Sequence, residues 1–269
     1  MPAACSSCPP TCPFNPTLEP PVTDTPDIHE RTRMLLGDAG LEQLRRCHVF
    51  IAGLGGVGAS AAEAIARAGV GRITLLDHDV VGPSNLNRQL VALHSTLGRP
   101  KAHVMAERIA DIHPAARVIV RQDFLSPDNV ADLLPADCDF VLDGIDSIAC
   151  KAALVHTCQQ RGLSVISSMG AGGRLDPTAV RVGPLATTEK CPLARELRKR
   201  LRRLGGHLDY PVVYSTETPI KGSEHRPIDG QVSGRPRAVN GTISYLPALF
   251  GLTLAGEVVR GLLASHPLP

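Results

Sequence analysis

The sequence contains no tryptophan, and aromatic residues make up only 3% of it. This argues against recognition that stacks many bases on aromatic side chains. An excess of one charge is missing too: 28 Lys and Arg stand against 26 Asp and Glu, a formal net charge of +2. Any contact with nucleic acid must then come from a local patch. The first residues, MPAACSSCPPTCPFNP, lack the basic segment and apolar run of a secretory signal. The most apolar late stretch, Ile243–Ala264, is interrupted by Pro247, Glu257 and Arg260. Its unbroken part is too short to span a bilayer and reads as a buried core helix. The expectation is a soluble, cytoplasmic protein with no membrane contact, whose eight cysteines stay reduced.

What is present points to one domain, or one large α/β domain with an appendage: 269 residues, 43% of them apolar. The chain is organised around His48–Asp79, HVFIAGLGGVGASAAEAIARAGVGRITLLDHD. His48–Ala52 is a short apolar run that suits a strand covered on both faces. Gly53, Gly55, Gly56 and Gly58 follow at once, then an Ala-rich helix over Val57–Ala68, ended by Gly69 and Gly71. Ile73–Leu76 is the next buried strand, and Asp77 and Asp79 follow it. Glycines let the backbone approach a phosphate closely, and amides at a helix N-terminus favour its negative charge. An acid after the second strand is placed to accept from a ribose hydroxyl. The plain alternative is a glycine-rich turn in an ordinary α/β domain; strand before, helix after and acid beyond favour a nucleotide, without saying which.

Residues 1–27 are rich in Pro, Thr and Cys and read as a disordered extension. Cys5, Cys8 and Cys12 could bind metal, but no second pair completes a zinc site nearby. Residues 28–269 form the folded domain. Ile28–Cys47 holds one or two short helices, with Met34, Leu35, Leu36, Leu41 and Leu44 as apolar positions. A polar loop containing N-L-N-R-Q at Asn85–Gln89 precedes a helix over Pro100–Ile112 that carries Lys101 near its start. Ala116–Val120 is a strand, and Ser126 with Pro127 opens a helix running to about Leu134. Phe140–Leu142 is a strand ending in Asp143–Asp146, a helix starts near Ile148, and Leu163–Ser168 is a further strand. This alternation predicts a Rossmann-like, largely parallel sheet with helices on both faces and an extra C-terminal strand and helix section. Gly53–Gly58, Asp77, Asn85–Arg88 and Asp143–Asp146 should then line one rim beyond the strand ends. Ala179–Val182 and Val212–Thr216 are strands, and Pro192–Leu204 is a strongly basic helix. A stretch from about 217 to 239 has no periodicity and reads as a mobile loop.

Asn85, Arg88, Lys101 and Asp146 suit a triphosphate better than a nicotinamide. The cations would neutralise charge developing at an α-phosphate, and Asp146 could hold Mg²⁺. The bland reading of each cation alone is a solvated rim. GLGGVG at 53–58, LLDHD at 75–79, N-x-N-R-Q at 85–89, Lys101 and DGIDS at 143–147 resemble the ThiF/MoeB/E1 superfamily of adenylating enzymes, from about Arg31 to the C-terminus. That resemblance implies ATP as the activating nucleotide and acyl-adenylate formation from a carboxylate. It implies Gly53, Gly55, Gly56 and Gly58 around the nucleotide, Asp77 at the ribose, Arg88 and Lys101 at the phosphates, Asp79 and Asn85 as further nucleotide-binding residues, and Asp146 on Mg²⁺. It also implies a catalytic arginine reaching across a two-fold homodimer. Arg31 or Arg33 fits that place, and Arg31 is preferred.

The two C-x-x-C pairs of the MoeB and ThiF branches are missing; Cys138, Cys150, Cys158 and Cys191 stand singly. SMGAGGRLDPT at 168–178, P-L-A-R-x-L-R-K-R-L at 192–201, V-x-Y-S-T-E at 212–217 and GTISYLP at 241–247 resemble the TcdA (CsdL) branch instead. That branch implies ATP-dependent dehydration of N6-threonylcarbamoyladenosine at position 37 of tRNA. Arg195, Arg198, Lys199, Arg200, Arg202 and Arg203 would then hold tRNA phosphates; the bland reading is a solvated helix face. Cys191 stands where that branch often has Asp; it is either a reactive thiol or a small apolar residue. The branch is also linked to a cysteine desulfurase system, a partner that no residue here shows. The rival readings are a carrier-activating enzyme that adenylates the C-terminal glycine of a ubiquitin-like sulfur carrier, a nucleotide-holding scaffold without turnover, and an NAD-dependent oxidoreductase.

Overall fold

The first helix, α1 (Glu30–Arg46), is two helical pieces joined at Gly37, whose φ of 69° and ψ of 174° break the spiral. The break decides which apolar residues are used. Leu41 and Leu44 beyond it are buried, whereas Met34 and Leu35 before it are 78% and 82% exposed. The computed structural model describes residues 28–220 and 241–264. The expected extension over 1–27, with Cys5, Cys8 and Cys12, and most of the loop expected at 217–239 lie outside them.

After α1 come β1 (His48–Ala52), α2 (Gly56–Ala68), β2 (Arg72–Leu76), α3 (Lys101–Ile112), β3 (Arg117–Arg121), α4 (Val130–Leu133) and β4 (Phe140–Asp143). Then follow α5 (Ile148–Arg161), β5 (Ser164–Ser168), β6 (Val180–Pro184), α6 (Pro192–Leu204), β7 (Pro211–Ser215) and α7 (Tyr245–Ala264). The seven strands form one sheet in the order β3-β2-β1-β4-β5-β7-β6. All neighbours are parallel except β6, which runs antiparallel to β7. The expected α/β architecture is therefore present, with β6 as the departing strand.

Alternation along β1 explains the layers. Val49 and Ile51 face the core beneath α2, α3 and α7, and Phe50 and Ala52 face the one beneath α5 and α6. Every residue of β1 is buried, as its unbroken apolar run predicts for a central parallel strand.

Two expectations need correction. The helix predicted from Ser126 begins only at Val130, because Asn129 takes over the turn: its Oδ1 accepts from the Ser126 N–H at 2.8 Å and its Nδ2 donates to the Phe124 carbonyl at 2.9 Å. Pro127 therefore lies in a turn ahead of the helix. The last apolar stretch is the helix expected there, but its apolar part is longer than expected. Pro247 falls in the first turn of α7, where a missing N–H costs no helical bond, and the helix runs on through Glu257 and Arg260. By length and composition α7 would suffice for a membrane span, and half of it is buried within the fold. It packs closely on α2 at Gly251, where an added Cβ would lie 2.2 Å from the Val57 carbonyl oxygen.

Candidate nucleotide-binding site

The strand order reverses at β1, whose neighbours are β2 on one side and β4 on the other. The crevice beyond the C-terminal ends of β1 and β4 is where such sheets bind ligands. Gly53 (φ 86°) leaves β1 there, and a Cβ on it would come within 3.0 Å of the Gly144 carbonyl. Gly58 lies under the same turn; its Cβ would sit 1.7 Å from the Gly53 oxygen. These two positions admit no side chain, so the glycine turn and the loop after β4 close on each other. The first amides of α2, at Gly56–Gly58, have no acceptor inside the helix and open onto this rim.

Asp77 sets the turn from below. Its Oδ2 accepts from the Leu54 N–H at 2.6 Å and its Oδ1 from the Asp79 N–H at 2.8 Å. A carboxylate has further lone pairs, so a ribose hydroxyl remains within its capacity. Lys101 opens α3 and is 5% exposed. Its Nζ donates to Asp79 Oδ2 at 2.9 Å, while the Asp79 side chain is 51% exposed. Arg88 is half-buried, donates to the Ser84 carbonyl and to Asn87 Oδ1, both at 2.8 Å, and forms no ion pair with a described residue. Burial lowers its pKa from the ordinary 12.5. Asn85 Oδ1 accepts from the Gly82 N–H at 3.0 Å and shapes the turn that presents Arg88. Asp146 is exposed on the loop after β4.

Asp143, expected on the rim, is instead fully buried beneath it. Its Oδ2 accepts from Lys151 Nζ at 2.7 Å and from Ser167 Oγ at 2.6 Å, and its Oδ1 from the Ile145 N–H at 3.1 Å. Asp143 thus braces the loop that carries Asp146.

Sequence reasoning gave no role to several groups at the site. The Gln89 side chain is 8% exposed, lies 3.8 Å from where a Gly55 Cβ would be, and has a buried Oε1 with no hydrogen-bond partner. Its place in N-L-N-R-Q was the available signal. Phe124, 54% exposed after β3, meets the His78 ring edge to face with centroids 4.8 Å apart. A Phe shortly after a predicted strand, in an aromatic-poor chain, was the signal there. Lys151 looked like one more helix charge and had no signal at all.

Oxygen chemistry for a divalent cation is available at Asp146, since Mg²⁺ is commonly held by one or two carboxylates together with substrate phosphates. Asp77, His78 and Asp79 also lie close enough to share an ion. Asp77 there also accepts from two amides, and Asp79 from Lys101.

The predicted basic helix is α6 with the expected bounds. Arg200, Arg202 and Arg203 are exposed. Arg195 and Lys199 share Glu196, at 3.3 and 3.0 Å. Arg198 differs: its guanidinium turns inward to the Leu185 and Thr188 carbonyls, at 3.3 and 2.9 Å, and to Thr188 Oγ1. Cys191 caps α6 without a side-chain bond and is 6% exposed. It lines a cavity of about 270 Å³ with Lys190, Pro192, Arg195, Arg198 and Pro219. A larger cavity of about 600 Å³ opens near Phe140, Tyr210 and Gly261, at the other end of the strands and away from every group above.

A model of the ThiF family matches residues 29–268. The tRNA threonylcarbamoyladenosine dehydratase of Bacillus subtilis strain 168 is 38% identical over 237 residues, covering 87% of this chain and 93% of the relative. The enzyme of that name from Escherichia coli K12 is 44% identical over 196 residues, 70% of this chain and 73% of the relative. The E. coli enzyme's crystal structure in complex with AMP superposes with a TM-score of 0.80 at 38% identity, covering 87% of this chain and 93% of that one. Its complex with ATP superposes with a TM-score of 0.78 at 37% identity over the same shares.

Proposed function

The chain belongs to the ThiF family, and on that footing we propose that it is an ATP-dependent tRNA-modifying enzyme: it adenylates the carboxylate of N6-threonylcarbamoyladenosine at position 37 and closes it to the dehydrated, cyclic form. The observation that carries this reading is the pairing of the glycine turn with Arg88 and Lys101 at the sheet's reversal point. The dehydratases to which the chain is similar over most of its length support it, as do the AMP and ATP complexes of one of them.

The chemistry is balanced without a protein nucleophile. A carboxylate oxygen attacks the α-phosphorus of ATP and pyrophosphate leaves. The ureido group of the same modification then attacks the acyl carbon, AMP leaves and a proton is released. The water lost by the nucleoside thus ends as an oxygen in AMP. Amides of Gly56–Gly58 face the phosphate chain, Asp77 takes the ribose, and Arg88 and Lys101 neutralise the charge that grows at the α-phosphate. Lys101 is held ready by Asp79, and a phosphate oxygen can share its ammonium. Mg²⁺ held by Asp146 would further neutralise the leaving pyrophosphate. Ring closure is intramolecular, so alignment supplies much of its rate.

The homodimer belongs to the same proposal. Arg33 is committed to Asp38 within its own chain, at 2.8 Å, whereas Arg31 is exposed. Met34 and Leu35 beside it carry apolar surface outward. A second copy covering that surface would receive Arg31 at its phosphates. On α6, Arg200, Arg202 and Arg203 face the RNA backbone, with Arg195 and Lys199 beside them.

Mass spectrometry of tRNA nucleosides after incubation with ATP tests the reading. The expected product is the modified adenosine lighter by one water, and ¹⁸O placed in its carboxylate should appear in AMP. The carrier-activating alternative predicts instead that a protein ending in Gly-Gly, and not modified tRNA, stimulates ATP–pyrophosphate exchange. That outcome would reject the proposal.

A further inference from the structure

Arg174, in the loop after β5, is 2% exposed and forms no ion pair with a described residue. A buried cation is costly unless its donors are satisfied. Here backbone carbonyls satisfy them: Nε donates to Gly170 at 3.1 Å, Nη1 to Ser215 at 2.9 Å and to Glu217, and Nη2 to Lys190 at 3.2 Å. Only a planar fork with donors on three nitrogens fits such a set.

The carbonyls come from three separate segments. Gly170 follows β5, Ser215 and Glu217 end β7 and follow it, and Lys190 leads into Cys191 and α6. Each segment shows a second sign of being fastened here. Lys190 has a φ of 51°, the one positive value among described residues other than glycine. Such a residue persists only where its surroundings hold it, and Arg174 grips its carbonyl. At Gly170 an added Cβ would lie 3.7 Å from Cys191 Sγ and 3.9 Å from Leu193 Cβ, so the first turn of α6 packs against bare backbone. Glu217 returns the clasp: its carboxylate accepts from the Leu175 N–H at 3.0 Å and the Asp176 N–H at 2.9 Å. The strand beside β5 is β4, which ends in the loop bearing Asp146.

We propose that Arg174 is a positioning residue for the reaction, fixing the start of α6 against the nucleotide rim so that RNA held on α6 presents its modified base to the adenylation site. This rests on the functional reading above. Arg174 touches neither substrate in this scheme; it sets the distance between the surface that holds one and the pocket that holds the other.

The experiment compares Arg174→Gln and Arg174→Lys with the wild-type chain. It reads ATP affinity, affinity for modified tRNA, kcat for dehydration, and hydrogen exchange at the amides present in residues 191–195, those other than Pro192. The expected result is a fall in kcat of about 100-fold, the loss a misplacement of about 1 Å can bring, with both affinities retained. Exchange should quicken at residues 191–195 and stay unchanged at Leu54. Lysine should not rescue, because it keeps the charge but cannot bridge three segments. An unchanged kcat in folded variants overturns the proposal, as does a parallel loss of kcat, both affinities and melting temperature. Glu217→Gln guards against variants that do not fold, since it leaves Arg174 in place and loosens only the return half of the clasp. It should lower kcat by a smaller factor in the same direction, and unchanged kcat with unchanged exchange would again overturn the idea. Wild-type turnover separates the two failures. No wild-type product rejects the functional reading and this proposal together, whereas full wild-type product beside unaffected variants rejects this proposal alone.

Discussion

Two lysine–aspartate pairs stand at the same end of the sheet, and their surroundings give them opposite uses. Lys101 meets Asp79 at 2.9 Å, with side-chain exposures of 6% and 51%. Lys151 meets Asp143 at 2.7 Å, with both side chains at 0%. The first pair is open on its acid side. Water screens it, so it adds little to stability, on the order of 0–1 kcal/mol, and an arriving phosphate can compete for the ammonium. The second pair is sealed. Asp143 also binds Ser167 and the Ile145 amide, and Ser167 in turn accepts from the Tyr210 hydroxyl at 3.2 Å. Burial raises the Tyr210 pKa, so the hydroxyl stays a donor. A half-open pair serves a ligand; a closed one holds a loop.

The largest expected effect breaks the sealed pair. Lys151→Met leaves a buried carboxylate without its cation and should cost about 3–5 kcal/mol of stability. Urea denaturation would read it. Adding Asp143→Asn removes the orphaned charge and should recover part of the loss. A stability loss under about 1 kcal/mol for the single variant would mean that the pair is not sealed in solution.

Next comes the open pair. Lys101→Met should leave stability nearly unchanged and slow AMP formation by about 10²–10³-fold, the cost of removing one donor to a developing oxyanion. Steady-state kinetics beside a melting curve checks both halves. If Lys101→Met melts early instead, its burial beneath Asp79 matters more than its reach to phosphate, and the contrast fails.

These pairs also mark what the sequence could and could not disclose. β1 and β2 were legible because central parallel strands are short apolar runs, and Gly53–Gly58 because its glycines answer to close backbone contacts. Lys101 was legible through its place at a helix start after a polar loop carrying N-L-N-R-Q. Lys151 was not: in IACKAALV it looks like an ordinary surface charge, and only the crossover from β4 into α5 lays it on Asp143. The one or two short helices expected over Ile28–Cys47 are two pieces joined at Gly37, but the sequence did not tell the exposed Met34 and Leu35 from the buried Leu41 and Leu44. Ser126 read as a cap because its residue type fits, but a neighbour with a longer reach, Asn129, closed that turn. Local patterns report local geometry; partners brought by topology stay hidden.

The same distinction between engaged and available charge applies on α6. Arg198 is tied to carbonyls of its own chain, while Arg200, Arg202 and Arg203 are exposed. Reversing those three to Glu should weaken tRNA binding and lower the slope of log affinity against log salt by about 1 for each phosphate that is no longer neutralised. Arg198→Gln should leave that slope unchanged. Filter binding across a salt series checks both, and an equal slope change from Arg198 would dissolve the division.

The smallest effect concerns a third buried base, one that sheds its charge. His48 is 1% exposed at the other end of β1, with Nε2 at 2.8 Å from Thr74 Oγ1 and Nδ1 at 3.2 Å from Asp137 Oδ1. Burial, and then Arg72, lower its pKa from 6.5, outweighing the pull of Asp137. Asp137 differs from Asp143 in the way that matters: it is 62% exposed and shared with Arg72. Its field is screened, so burial prevails and the imidazole is held toward the neutral form. A folded pKa below the unfolded one means that the unfolded chain binds the extra proton. Stability from His48 is therefore full above pH 6.5 and is lost as pH falls from there through the folded pKa. The slope in that window is at most about 1.4 kcal/mol per pH unit. Urea midpoints between pH 7 and the acid limit should fall more steeply for the wild type than for His48→Gln, which cannot take up the proton. Parallel curves would show that His48 keeps its ordinary affinity for protons, and that burial beside a screened acid does not displace it.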